Sequence, residues 1–311
     1  MIELADIQWK IQETTEAIAR LERTIKDQPT RPSLLANMKS LENRYRALEA
    51  DFAAAAERCG IDICSYRIFT EDGRLTLSGV AKALLDFQSL FALVYDALRT
   101  GRPKRKGALS EEALQEASFG LGYTFPGSLG VVLTLQKETV LFDSKLDEAI
   151  QTVFEMAKVN TSNAIKKYAR KLGVAPIRAM FNWASDLAYS ESGVDIKWYR
   201  AQEVRSSLFI QKQQFTSLRR ALLEESEEEQ EEFTMVGDLL GADVQRKSFH
   251  LRTEREGKRE DIFGNFTDAI SPSHTVELPK MYRATIRRTT KIRYSTEQEE
   301  IHNFLLRIEN V

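Results

Sequence analysis

The chain predicts an α+β protein in three parts: an N-terminal antiparallel helical hairpin of coiled-coil type, a mixed α/β middle domain and a small C-terminal β-barrel. Three observations carry this. Leu4, Ile7, Ile11, Thr14, Ile18, Leu21 and Ile25 recur with alternating steps of three and four. From Ile61 the apolar period shortens towards two. From Phe233 onward, short strand-like runs follow one another to the C-terminus, the pattern of a small barrel or sandwich.

The opening stripe lies on one face of a helix. After "DQPTRPS", whose two prolines interrupt helical hydrogen bonding, the pattern resumes as Met38, Leu41, Tyr45, Leu48, Phe52 and Ala55. Residues 1–59 are therefore read as a hairpin whose stripes face each other and leave Trp9 off the seam. Leu4, Ile7, Ile11, Ile18, Leu21 and Ile25 are the residues expected to carry self-association or docking of a protein partner. The same stripes also suit a hairpin packed on its own protein, because two helices alone are marginal in water.

Residues 60–223 form the expected middle domain. "DICSYRIF" and "RLTL" flank "TEDG" as a strand pair, and a helix capped by Ser78 follows with Val80, Leu84, Phe87, Phe91, Val94 and Leu98 on one face, ending at Gly101. The basic loop "GRPKRKG" reads as solvated, with phosphate contact as its functional reading. "GLGYTFPGSLGVVLTLQ" crowds four glycines yet lacks both the dinucleotide fingerprint and the Lys-Ser/Thr of a phosphate loop, so it reads as a turn leading into a buried strand. Three helices are expected over 145–191, then the strands "VDIKWYR" and "VRSSLFIQ" and a helix from about Gln213.

The run "EESEEEQEE" within 224–232 repels itself and is expected as a linker or exposed helix end. In the barrel expected over 233–311, strand alternation sets Arg246, Ser248, His250 and Arg252 on one face. A later strand sets Tyr282, Ala284, Ile286, Ile292 and Tyr294 against Arg283, Arg287, Lys291 and Arg293. Arg246, Arg252, Arg283, Arg287, Lys291 and Arg293 are thus the candidate nucleic-acid contacts, although the face lacks aromatic platforms and the acidic run competes for it.

Composition bounds the rest. A net charge of −2 over 311 residues excludes a strongly basic nucleic-acid binder. No run reaches the roughly 18 apolar residues expected of a membrane span, and "MIELADIQWK" carries acids where a signal peptide carries bases, so a cytoplasmic location without membrane contact is expected. Cys59 and Cys64 fit neither a redox pair nor half of a zinc site and read as reduced structural thiols. His250, His274 and His302 show no metal-binding spacing, and no nucleophile elbow or phosphate loop occurs, so no catalytic, cofactor or metal residue is expected. These readings converge on a non-enzymatic interaction protein that self-associates or docks a partner through the hairpin. The alternative is a nucleic-acid-binding accessory subunit using the barrel face; the modular layout is similar to that of bacterial accessory proteins, including those of antiviral operons.

Overall fold

The structure is a computed structural model that describes residues 2–27, 31–71, 73–125, 129–136, 145–159, 161–200, 203–224, 226–243, 245–255, 258–266, 277–293 and 299–311. His274 and Tyr294 lie outside them. The chain forms two compact units, Met1–Leu223 and Glu224–Val311.

In the first unit, α1 (Ile2–Asp27) and α2 (Pro32–Arg58) form the expected helix pair. Pro32 opens α2 in the first turn, where its missing N–H is not needed. The ion pair between Arg58 and Glu3 joins the end of one helix to the start of the other, which makes them antiparallel. The hairpin is not a separate domain. Leu4, Ile7 and Ile11 cluster with Leu48, Phe52, Ala55 and Val132, the last of which belongs to a sheet, so the base of the hairpin is built into the same unit as the middle segment.

That sheet comprises β1 (Ile61–Thr70), β2 (Gly120–Phe125), β3 (Leu129–Gln136), β4 (Ser192–Arg200) and β5 (Glu203–Ile210) in the order β2-β3-β1-β4-β5. Every neighbouring pair is antiparallel. On β1, Asp62, Cys64, Tyr66 and Ile68 are buried in alternation. They face α3 (Leu77–Thr100), α5 (Lys145–Ala157) and α7 (Val174–Tyr189), where Trp183 Nε1 donates to Tyr66 Oη at 2.9 Å. The short α4 (Glu111–Glu116), α6 (Ser162–Leu172) and α8 (Lys212–Glu224) complete the unit. Helix α3 is long and apolar enough to cross a membrane, but here most of its second half is core.

Two local expectations fail. "RLTL" forms no strand, because both edges of β1 are taken by β3 and β4; the chain enters α3 instead, capped by Thr76 rather than Ser78, with the Gly79 N–H donating to Thr76 Oγ1 at 3.2 Å. "GLGYTF" is a strand rather than a turn. A Cβ on Gly122 would lie 2.8 Å from the Val132 carbonyl oxygen, so the missing side chain is what lets β2 approach β3.

The second unit holds β6 (Ser226–Asp243), β7 (Ser248–Arg255), β8 (Lys258–Phe266), β9 (Lys280–Arg293) and β10 (Glu299–Asn310). Antiparallel pairing runs β8-β7-β6-β9-β10, and β10 also meets β8 in parallel at Phe304↔Asn265 and Leu305↔Phe266. Leu239, Phe249, Leu251, Ile262, Tyr282 and Ile286 form its core. The glutamate run starts as a helix end, since Glu224 is the last residue of α8, but Ser226–Glu232 belongs to β6, where the register sets Glu228 opposite Lys291, Glu231 opposite Arg288 and Glu232 opposite Arg287. Opposite charges across the pair offset the self-repulsion that argued against a strand.

Because Ile11 is fully buried between the helices and Val132, Ile11→Ala is expected to lower the stability of the first unit by about 2–5 kcal/mol in urea unfolding of the full chain. Leu21→Ala, at a half-buried position nearer the hairpin tip, should cost visibly less.

Candidate functional site

The six stripe residues divide by position. Leu4, Ile7 and Ile11 are buried against the body and have no surface left for a partner. Ile18, Leu21 and Ile25 are half-buried on the seam with α2, whose distal Leu34, Met38 and Leu41 are half-buried in turn. Between Thr14 and Leu48 no described residue is fully buried. Leu35 is 52% exposed, and Trp9 on the outer side of α1 is 58% exposed.

Of the six candidate basic residues of the second unit, four pair with acids of the same unit and two stand opposite acids in strand register. Strand β6 lies between β7 and β9, so it separates Arg252 from the arginines of β9. Arg252 Nε donates to Asp261 at 2.9 Å, and the pairing with Arg252 and His250 holds the Asp261 carboxyl below its ordinary value. Arg287 bonds Glu232 at 2.8 Å, Arg293 bonds Glu300 at 2.9 Å, and Arg246 lies 3.9 Å from Asp243. Lys291 stands in register between Glu228 and Glu300, and Arg283 opposite Glu309. The neighbouring Arg288 sits over the Phe233 ring and faces Glu231 at 3.6 Å.

Sequence reasoning missed a cavity of about 590 Å³ where α2 stands on the open face of the sheet. Glu49, Arg67, Tyr123, Asp195, Lys197 and Tyr199 line it. Arg67 and Asp195 pair at 3.0 Å. Burial raises the Glu49 carboxyl above its ordinary value, while the nearby Tyr45 and Tyr123 hydroxyls and Arg46 pull it down. Burial also raises the Tyr123 and Tyr199 hydroxyls, which keeps them as neutral donors. The arrangement offers hydrogen bonds and one ion pair rather than a nucleophile beside a base. Its residues come from α2, β1, β2, β3 and β4, so no sequence spacing joins them.

A second titratable cluster joins Asp86 of α3 to Asp186 of α7. Burial, then the hydrogen bond and charge of Asp186, push the Asp86 carboxyl up to about 7, with Lys82 opposing. Lys82 Nζ lies 3.9 Å from Asp186. Cys59 and Cys64 are free, and burial raises the Cys64 thiol. His250 stacks on Phe263 with centroids 4.3 Å apart. Among the described residues no group of three or more His, Cys, Asp or Glu side chains is placed to hold a metal ion.

No family model matches this chain, and neither the curated proteins nor the solved structures contain a match.

The Asp86 pair gives a pH dependence. The folded chain keeps the Asp86 proton up to about pH 7, whereas a free carboxyl at 3.8 has released it, so between those values the folded state binds more protons and stability falls as pH rises. Asp86→Asn retains a donor towards Asp186 without the titration. Thermal unfolding at pH 5 and pH 8 should therefore show the parent losing more stability than the variant on going to pH 8.

Proposed function

We propose that the protein is a non-enzymatic interaction protein that self-associates through the distal half of its helical hairpin. The observation that carries this reading is the change in burial along one continuous stripe: fully buried from Leu4 to Thr14, half-buried from Ile18 to Ile25. The base is held by the sheet, while beyond Thr14 the described distal turns of α1 face α2 with no residue fully buried. Helices in proteins gain most of their stability from tertiary packing of the apolar face, so this segment favours a further apolar surface.

A second copy supplies that surface with matched charge. Residues 12–27 of α1 carry four acidic and three basic residues, whereas residues 31–46 of α2 carry four basic and one acidic. Setting α1 of one copy beside α2 of another brings unlike charges together along a four-helix arrangement, and the exposed Leu35 enters the new seam. The coiled-coil character expected from the heptad steps belongs to this assembly. In the same reading the second unit is a small barrel, closed by the meeting of β10 with β8 and held by the β6–β9 charge ladder.

Light scattering after size exclusion tests the proposal. The parent should run at twice the 35.5 kDa chain mass, and Ile18→Glu combined with Leu35→Glu should return it to the single-chain mass with an unchanged circular dichroism spectrum. A parent that stays monomeric up to high micromolar concentration, or a variant of unchanged mass, overturns it.

A further inference from the structure

We infer that the first unit carries a sequence-independent binding surface for the phosphate backbone of duplex nucleic acid, formed by the 102–106 loop and the exposed face of α6. It stands apart from the hairpin reading and on a different part of the chain from the basic strands of the second unit.

The charge distribution gives the first argument. Between Asp96 and Glu111 the chain has five basic residues and no acidic one; between Glu155 and Asp186 it has six and none. These segments are far apart in sequence, and the fold joins them by backbone. The Lys104 N–H donates to the Leu172 carbonyl at 2.7 Å, and the Ala175 N–H donates to the Lys104 carbonyl at 2.9 Å. Gly173 makes the approach possible: its φ is +96°, and a Cβ there would overlap the Lys104 backbone. From inside, Lys104 Nζ is anchored at 2.7 Å by Asp96, which is fully buried and also accepts from the Ser110 N–H and hydroxyl. The loop is thus pinned at its centre, and Arg102 and Lys106, each two residues from the pin, are exposed.

On α6, Lys167, Arg170 and Lys171 are exposed and Lys166 is half-buried, lining with Asn163 a shallow concavity of about 510 Å³. Among the described residues, Glu148 lies at this surface, 3.6 Å from Lys171 and 2.7 Å from Lys145, and Glu155 accepts from the Tyr168 hydroxyl. Arg102, Lys106, Lys167 and Arg170 form the strongest part of the patch. This contrasts with the second unit, where β6 sets acids between the basic strands.

The chemistry selects the ligand. A basic amphipathic helix binds a membrane by inserting its apolar face, but Ile165, Ala169 and Leu172 of α6 are already buried in the unit. A small free anion favours a closed pocket, whereas these cations spread along helix and loop. Single strands need aromatic stacking platforms, and the α6 face offers only Tyr168, engaged by Glu155. Duplex phosphates, repeating along a rigid rod, match a row of cations without base readout.

Fluorescence anisotropy with a labelled 20-base-pair mixed-sequence DNA duplex and the full-length chain tests this. With four phosphates engaged, the log–log salt slope should be about −3.6, so affinity falls roughly 100-fold between 50 and 200 mM salt. Lys167→Glu with Arg170→Glu should lower affinity at least 10-fold at 50 mM salt and flatten the slope by about two. Arg283→Glu in the second unit should change neither, and light scattering should show an unaltered mass, which separates this site from the hairpin. If the reversal pair fails to fold, Lys167→Gln with Arg170→Gln reads the same slope. Absence of duplex binding at 50 mM salt, binding untouched by the α6 variants, or binding to phosphatidylserine vesicles in place of the duplex each overturns the proposal.

Discussion

Strand β1 has to bury both of its faces, and the first unit is arranged around that constraint. Its inward residues Cys64, Tyr66 and Ile68 meet the helical layer, and its outward Ile61 and Ile63 meet the base of the hairpin. With β3 on one edge and β4 on the other, no edge remains for the segment that follows, which must leave the sheet as a helix. The hairpin is held for the same reason. A bare apolar sheet face needs a cover, and Phe52, Leu48 and Ile11 provide it over Val132. Beyond Thr14 on α1 and before Leu48 on α2 no described residue is fully buried, so the distal stripe loses its support within the length of a single helix.

A second constraint governs the charges. An ionised group taken out of water must be paired and hydrogen-bonded, or it destabilises the fold. Asp62 is almost fully buried and receives Arg200 at 2.7 Å, and the same guanidinium also meets Asp147. Asp96 is fully buried and receives Lys104 and Ser110. In each case a local electrostatic need fixes something larger: Arg200 ties the end of β4 to β1 and α5, and Lys104 fixes a basic loop against the end of α6. In the second unit the acids stand on the strand between the basic ones, so charge is spent on cohesion within the sheet. Equal numbers of cations can therefore mean different things, depending on whether the topology interleaves acids among them.

Much of this architecture was legible in the sequence wherever the signal was local. The heptad steps gave α1 and α2, the shift to a period of two gave β1, β4 and the strands of the second unit, and Gly101 and Gly173 marked helix ends. What escaped were properties set by contacts between distant segments. That Ile11 is core while Ile18 is half-buried depends on Val132, which no periodicity reveals. The glutamate run looks unable to form a strand until β9 is placed beside it. Even the basic loop and α6, each visible as a charged segment, gain meaning only through the Lys104 backbone bonds. The cavity beside Glu49 left no signal, because its residues come from five elements.

The two surfaces proposed for the first unit answer to different physics, and that difference gives them a relation. Packing of apolar stripes depends weakly on salt, whereas phosphate contacts weaken steeply as counterions accumulate. As proposed, a hairpin-linked pair of chains would present two phosphate-binding patches, and once one engaged a duplex the second would act at a high effective concentration. Duplex affinity then depends on chain concentration as well as on salt, and by linkage the duplex favours the paired state as strongly as pairing favours the duplex. Neither surface needs to be strong by itself. On both proposals together, a modest apolar seam and a modest cationic patch in one compact unit would give a response to polyanion that neither gives alone.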